Sequence, residues 1–175
     1  MSRGLRLIPV VLLIWVIGGF AWRLIKPADP AIHSQLINRP VPAFVLPAAL
    51  PDRPGLATPD LATGEPRLLN VFASWCIPCA GETATLNELH RRGVRIDAIA
   101  VRDTPGAIRD FLDRHGDPYD RIGADERSNA QISLGSSGVP ETFVIDGRGV
   151  MRHQYVGALT AANIPGVLRQ MEEAR

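Results

Sequence analysis

The sequence predicts an α/β domain, a central mixed β-sheet flanked by helices, preceded by one N-terminal transmembrane helix. Three observations carry this. Strand-like and helix-like segments run β-α-β-α, then a β-hairpin, then a helix, an order that fits a mixed sheet covered on both faces. Leu68–Ser74 is a near-continuous apolar run, the mark of a central strand buried on both sides. Leu7–Trp22 is uncharged and almost wholly apolar, bracketed by Arg3 and Arg6 before it and by Arg23 and Lys26 after it.

The N-terminal segment (1–26) comes first. From Leu7 to Trp22 a helix rises about 24 Å, short of the ~30 Å hydrocarbon core. Adding Leu24 and Ile25, with Arg23 snorkelling, brings it close to sufficient, and Trp15 and Trp22 suit a membrane helix. A cleaved signal peptide has the same basic start and apolar middle. No good small-x-small site precedes Arg23, Gly19-Phe20-Ala21 being a poor one, so an uncleaved signal-anchor is expected. Both flanks are basic and set orientation weakly. Residues 27–40 are polar and rich in proline (Pro27, Pro30, Pro40), a linker that holds a domain over 41–175 off the membrane.

Within that domain Ala43–Leu46 is a short strand, followed by a loop through Pro47, Pro51, Pro54 and Gly55. After the Leu68–Ser74 strand, a helix runs from Pro78 to about Arg91 with Leu86 and Leu89 inward. Arg95–Val101 is a strand. Thr104 and Pro105 open a helix as N-cap and first-turn proline, and Gly116 ends it after His115. Arg127–Leu134 reads as a short helix. Thr142–Ile145 and Val150–Val156, joined by Asp146-Gly147-Arg148-Gly149, form a hairpin. A last helix covers roughly Thr160–Ala174, where Pro165 delays its start or bends it.

Composition sets the outer limits. The chain has 175 residues and 46% apolar content, enough for one packed domain plus an appendage. The net charge of +1 hides an asymmetry: the four basic residues of 1–26 have no acidic counterpart, which leaves 15 basic against 18 acidic residues elsewhere. No basic stripe points to nucleic acid.

Trp75-Cys76-Ile77-Pro78-Cys79 holds the only two cysteines, at the junction of a predicted strand and helix. In a βα context that spacing reads as a thioredoxin-like redox motif. The alternatives are a structural disulfide or half of a metal site. So short a ring removes little chain entropy, and the four histidines are scattered singly and complete no zinc site. No cofactor and no metal are expected. A thiolate attacks a disulfide, and unpaired N–H groups at a helix start favour negative charge. Cys76, at that start, is the expected exposed nucleophile, and Cys79, one turn in, the resolving thiol. Trp75 either covers the site or packs on the sheet edge.

Leu68-Leu69-Asn70-Val71-Phe72-Ala73-Ser74-Trp75-Cys76-x-x-Cys79-x-x-Glu82, with Gly138-Val139-Pro140-Glu141-Thr142-Phe143-Val144-Ile145-Asp146, resembles the thioredoxin-like thiol:disulfide interchange proteins of cytochrome c maturation, the CcmG/DsbE family. The likeness covers about Val41 to Thr160, and the Gly-x-Pro-Glu-Thr-Phe segment is its more specific part. The resemblance implies a cis peptide at Pro140 opposite the cysteines, with Val139 turned outward to pair with a partner strand. Without it, Val139-Pro140 reads as a strand entry. Glu82 shares a helical face with Cys79; on a buried face its pKa rises and it can exchange a proton with Cys79. Asn70 stands where thioredoxins keep an aspartate, so the resemblance implies that the acid/base group has moved to Glu82. The plain alternative is a solvated helix residue. Glu141 is expected to place negative charge near Cys76, the alternative being a surface strand glutamate.

Two departures from the family stand out. Ser136-Ser137 replaces a frequent aromatic before the Gly-x-Pro-Glu-Thr segment, and Ile77-Pro78 is similar to reducing thioredoxins, favouring a potential nearer about −270 mV than about −120 mV. The resemblance implies a periplasm-facing reductant anchored in the inner membrane. Its partners would be apocytochrome c, reduced at its Cys-x-x-Cys-His motifs, or other cytochrome c maturation proteins, with an integral-membrane thiol reductase as electron donor. A general envelope thiol:disulfide oxidoreductase is the nearest alternative. A copper(I) metallochaperone would use the same two thiols but lacks a Met- or His-rich companion segment.

Overall fold

In the computed structural model, which describes residues 3–25 and 34–175, the chain divides into two units, Met1–Ala31 and Ile32–Arg175. The first contains one helix, α1 (Arg3–Ile25), and its described large apolar side chains, among them Leu12, Ile14, Trp15, Ile17 and Phe20, are exposed. Among the described residues no helix is long and apolar enough to cross a membrane. The expected span Leu7–Trp22 includes Leu7, Val10 and Val11, whose side chains lie outside the described ones.

The expected linker 27–40 lies outside the described residues as far as 33. Residues 34–40 are instead stitched to the domain. Ser34 is buried, Asn38 N–H donates to the Met151 carbonyl at 2.7 Å, and Met151 N–H returns to the Arg39 carbonyl at 3.0 Å.

The second unit is built on a five-stranded sheet. Strands β1 (Val45–Leu46) and β2 (Leu56–Ala57) form a small antiparallel ribbon. Then follow β3 (Arg67–Phe72), α2 (Ile77–Arg91), β4 (Ile96–Val101), α3 (Pro105–His115), β5 (Arg121–Asp125), α4 (Asn129–Ser133), β6 (Glu141–Ile145), β7 (Met151–Val156) and α5 (Ile164–Glu173). The sheet order is β5-β4-β3-β6-β7, with β3, β4 and β5 parallel and β6 and β7 antiparallel to their neighbours.

Strand alternation splits the core in two. Leu68, Phe72, Ile96, Ala98 and Val144 face the layer of α2, α3 and α5, where Leu86, Leu89, Phe111, Val167 and Met171 meet them. Leu69, Val71, Ile99, Val101, Phe143 and Ile145 face the other way, onto Leu56, Leu61, Ala130 and Leu134. Burial on both sides explains why β3 reads as a continuous apolar run. The expected caps of α3 are present: Thr104 Oγ1 accepts the Ala107 N–H, and Gly116 closes the helix at φ +99°.

Two strands escape the sequence reading. In β5 the pentad Arg-Ile-Gly-Ala-Asp offers little apolar signal, and its place comes from pairing with β4. Gly123 lets the β1–β2 ribbon approach, since a Cβ there would stand 2.8 Å from the Leu46 side chain. The two-residue β2 is defined only by its partner. Helix α4 is shorter than the expected Arg127–Leu134, because Ser128 at φ +59° turns the chain just ahead of it. Pro165 sits in the first turn of α5, after a 3-10 turn at Ala161–Asn163, so the helix starts late.

Candidate active site

The central strand β3 delivers the chain to its C-terminal end, and Ser74 fixes its exit. Ser74 N–H and Oγ both bond the Asp103 carboxylate, at 2.5 and 2.8 Å, while Thr104 N–H takes a third bond to it. Cys76 is the N-cap of α2, and its Sγ accepts the Cys79 N–H at 3.2 Å. Cys76 and Cys79 are joined as a disulfide, Cα to Cα 5.3 Å. Cys76 is 5% exposed and Cys79 1%. The order of access is as expected, but the openly exposed sulfur is not: bonded to Cys79 and folded over the first turn, Cys76 is buried in this oxidised state.

The surface here belongs to neighbours. Ile77 is 87% exposed and Trp75 54%. Trp75 Nε1 donates to the Arg102 carbonyl at 3.3 Å, and the Arg102 guanidinium lies over the indole, 5.9 Å from its centroid. Arg102 and Asp103 were missed in the sequence. Their role depends on a turn after β4 in which Arg102 adopts φ +47°, and nothing in the residue types announces it.

The Val139–Pro140 peptide bond is cis. Pro140 is buried, and half-buried Val139 packs against both core layers.

Glu82 lies on the buried face of α2, one turn beyond Cys79, and is 1% exposed, which rules out the solvated-helix reading. Its Oε1 accepts Asn70 Nδ2 at 2.9 Å and its Oε2 accepts the Leu159 N–H at 3.0 Å. Burial pushes its pKa up to about 7, although both hydrogen bonds favour the anion. Asn70 Nδ2 also donates to Thr142 Oγ1 at 3.0 Å, and the buried Tyr119 hydroxyl donates to Asn70 Oδ1 at 2.9 Å. Tyr119 was not singled out in the sequence. An aromatic in a loop between α3 and β5 gives no sign that it reaches the centre of the sheet.

Glu141 is fully buried, so a surface strand glutamate is excluded. Alternation along β6 puts it on the side of Phe143 and Ile145, across the sheet from Thr142, Asn70 and Glu82. There it accepts Ser137 N–H and Oγ at 3.0 and 3.1 Å and Gln154 Nε2 at 2.9 Å. Its partners hold the loop that leads into Val139. Among the described residues no group of three or more His, Cys, Asp or Glu side chains is placed to hold a metal.

The family model described as Redoxin matches residues 37–169. The chain is 39% identical over 160 residues to the thiol:disulfide interchange protein DsbE of Pseudomonas fluorescens biotype C, covering 91% of this chain and 88% of that protein. It is 35% identical over 165 residues to DsbE of Escherichia coli K12, with the same coverage. Among solved structures, a secreted thiol-disulfide isomerase from Corynebacterium glutamicum superposes with a TM-score of 0.66 at 19% identity, covering 85% of this chain and 96% of that one; it shares the fold. A thioredoxin-like α/β domain with two cysteines joined at the start of a helix is equipped for thiol–disulfide exchange. The chain belongs to the Redoxin family, among the DsbE thiol:disulfide interchange proteins, and is a thiol:disulfide oxidoreductase.

Proposed function

We propose that this protein is a membrane-tethered reductant that faces the periplasm and reduces the disulfide of Cys-x-x-Cys-His haem-attachment motifs in apocytochrome c. The observation that carries exchange through Cys79 is the buried Glu82 carboxyl, pKa about 7, on the same helical face. The reductive direction is supported by Ile77-Pro78 between the cysteines, similar to reducing thioredoxins. A reductant that must release its partner needs the second thiol deprotonated on demand, and a group poised near neutral pH does that.

In the reduced protein the Cys76 thiolate attacks one sulfur of the substrate disulfide. A mixed disulfide forms and the second substrate sulfur leaves as a thiolate. Glu82 takes the proton of Cys79, whose thiolate attacks Cys76 Sγ. The first substrate sulfur departs, and the two substrate thiolates are protonated, one by Glu82. Two electrons have moved to the substrate, and the protein is left with the Cys76–Cys79 bond seen here. An integral-membrane thiol reductase would restore the dithiol. During attack, half-buried Val139 beside the cis proline offers backbone to a partner strand, and exposed Trp75 and Ile77 offer apolar contact.

Anchoring rests on the apolar Leu7–Trp22 segment with its basic flanks and on the exposed apolar side chains of α1. The chemistry supports the periplasmic side, since disulfides form outside the cytosol. The decisive experiment is capture of mixed disulfides in cells by Cys79→Ser. Apocytochrome c among the captured partners supports the proposal. A broad set of envelope proteins without it replaces the proposal with a general envelope oxidoreductase.

A further inference from the structure

Asn70 has one side-chain oxygen and one NH2 group, and which of them faces Glu82 decides which charge state of Glu82 is favoured. An NH2 group facing the carboxyl favours the anion; an oxygen can be met only by the protonated acid. Two neighbours meet the amide, and one of them fixes the choice. Thr142 Oγ1 accepts from Nδ2 at 3.0 Å, but a hydroxyl can equally donate, so Thr142 tolerates either orientation. Tyr119 donates to Oδ1 at 2.9 Å. A phenol oxygen can also accept, but Asn70 is the one hydrogen-bond partner of this buried hydroxyl among the described residues, so turning the amide would leave the phenol proton without an acceptor. Burial raises its pKa well above the ordinary value, so it remains a donor at every working pH.

Tyr119 is itself firmly placed. Its ring stacks on Phe72, centroids 5.0 Å apart and 27° between planes. Its carbonyl accepts Arg53 at 3.0 Å, and its N–H donates to Asp117, which also forms an ion pair with Arg53.

We infer that Tyr119 is a positioning residue for thiol–disulfide exchange: by holding Asn70 with its NH2 group toward Glu82, it sets the proton affinity of the carboxyl behind Cys79. The catalytic consequence rests on the reading of Glu82 as the proton carrier. Asn70 from β3 and the Leu159 N–H ahead of α5 bond Glu82, Tyr119 from the loop ahead of β5 lies within its electrostatic reach, and Cys79 stands one turn earlier on its own helix. Asp117 acts on Tyr119 itself. Removing the tyrosine hydroxyl leaves Oδ1 free to turn toward the carboxyl, where Thr142 and a protonated Glu82 can both satisfy it.

The test is a carbon-13 titration of the Glu82 carboxyl in the full-length protein, wild type against Tyr119→Phe and Thr142→Val. Phenylalanine keeps the stacking on Phe72 and valine keeps the volume of threonine. The expected result is a Tyr119→Phe midpoint raised by about one unit, about tenfold in proton affinity, with Thr142→Val left in place. A midpoint unchanged or lowered in Tyr119→Phe, or raised as far in Thr142→Val, overturns the inference. In the wild-type protein the Asn70 side-chain amide protons should shift together with the Glu82 midpoint, and their failure to do so overturns it without any variant. The rate of mixed-disulfide release separates the two claims: if Glu82→Gln releases its partner at the wild-type rate across pH, the proton-carrier reading fails while the titration still decides the role of Tyr119.

Discussion

Asn70 Nδ2 donates to Glu82 Oε1 at 2.9 Å across the buried interface between strand β3 and helix α2. Under the proposed function, this neutral amide on the strand and the buried acid on the helix make up the proton site behind the resolving cysteine.

Glu82→Gln keeps the shape of that site and removes its proton. Attack by Cys76 should proceed largely as in the wild type, while release of the mixed disulfide slows by about 10²-fold, the low end of general-base effects. The pH dependence of release near 7 should vanish. Stopped-flow release of a fluorescent peptide disulfide, from pH 5.5 to 8.5, measures both, and wild-type release at every pH would defeat the relay.

The same carboxyl makes stability depend on pH. Its folded-state pKa is about 7, against about 4.3 for an unperturbed glutamate, so the native state binds this proton more tightly than the unfolded chain. The resulting stabilisation is fully present below about pH 4 and is lost as pH rises through 7, in total about 4 kcal/mol. Denaturant midpoints of the oxidised protein should therefore fall between pH 5 and 8, and Glu82→Gln should flatten that slope. An equal slope in the variant would place the titration elsewhere.

Cys79→Ser should accumulate mixed disulfides through Cys76, and Cys76→Ser should trap almost none. In the reduced protein, alkylation at neutral pH should reach Cys76 first, since it caps the helix and is the less buried of the two. Mass spectrometry of timed iodoacetamide reactions reads the order. Equal rates at the two thiols would show that the helix start does not single out the nucleophile.

Glu141→Ala leaves the buried Gln154 amide without its acceptor and releases the N–H and hydroxyl of the exposed Ser137 to water. The expected cost is about 3 kcal/mol by chemical denaturation. The loop ahead of Val139 should loosen, raising KM for a peptide disulfide more than it lowers kcat. A rise in neither stability loss nor KM would leave Glu141 without the anchoring role its bonds imply.

At the far end of the sheet, buried Arg67 and Asp97 form an ion pair between β3 and β4, and burial raises the pKa of Asp97. Arg67→Met strands a buried carboxylate and should cost about 3–5 kcal/mol. Because Arg67 begins the strand whose other end leads to Cys76, trapping by the surviving folded protein should be unchanged; altered trapping kinetics would show that the pair also sets the site.

Local signals in the sequence determined much of this protein. The apolar run at β3, the cap and proline at Thr104-Pro105, the glycine turn before β7 and the cysteine spacing each act within a few residues, where side-chain chemistry and backbone preference suffice. Tertiary structure alone decided the rest. Strand β5 exists because β4 offers it a hydrogen-bonding edge and Gly123 admits the ribbon beside it. Glu82 is a buried acid only because Leu159, 77 positions onward, covers it and supplies an N–H. Glu141 is turned from the cysteines by the alternation of β6, and Tyr119 reaches Asn70 because Phe72 stacks its ring. Burial and hydrogen-bond partnership are properties of neighbours brought from elsewhere in the chain, and the residue types that carry them look the same on a surface as in a core.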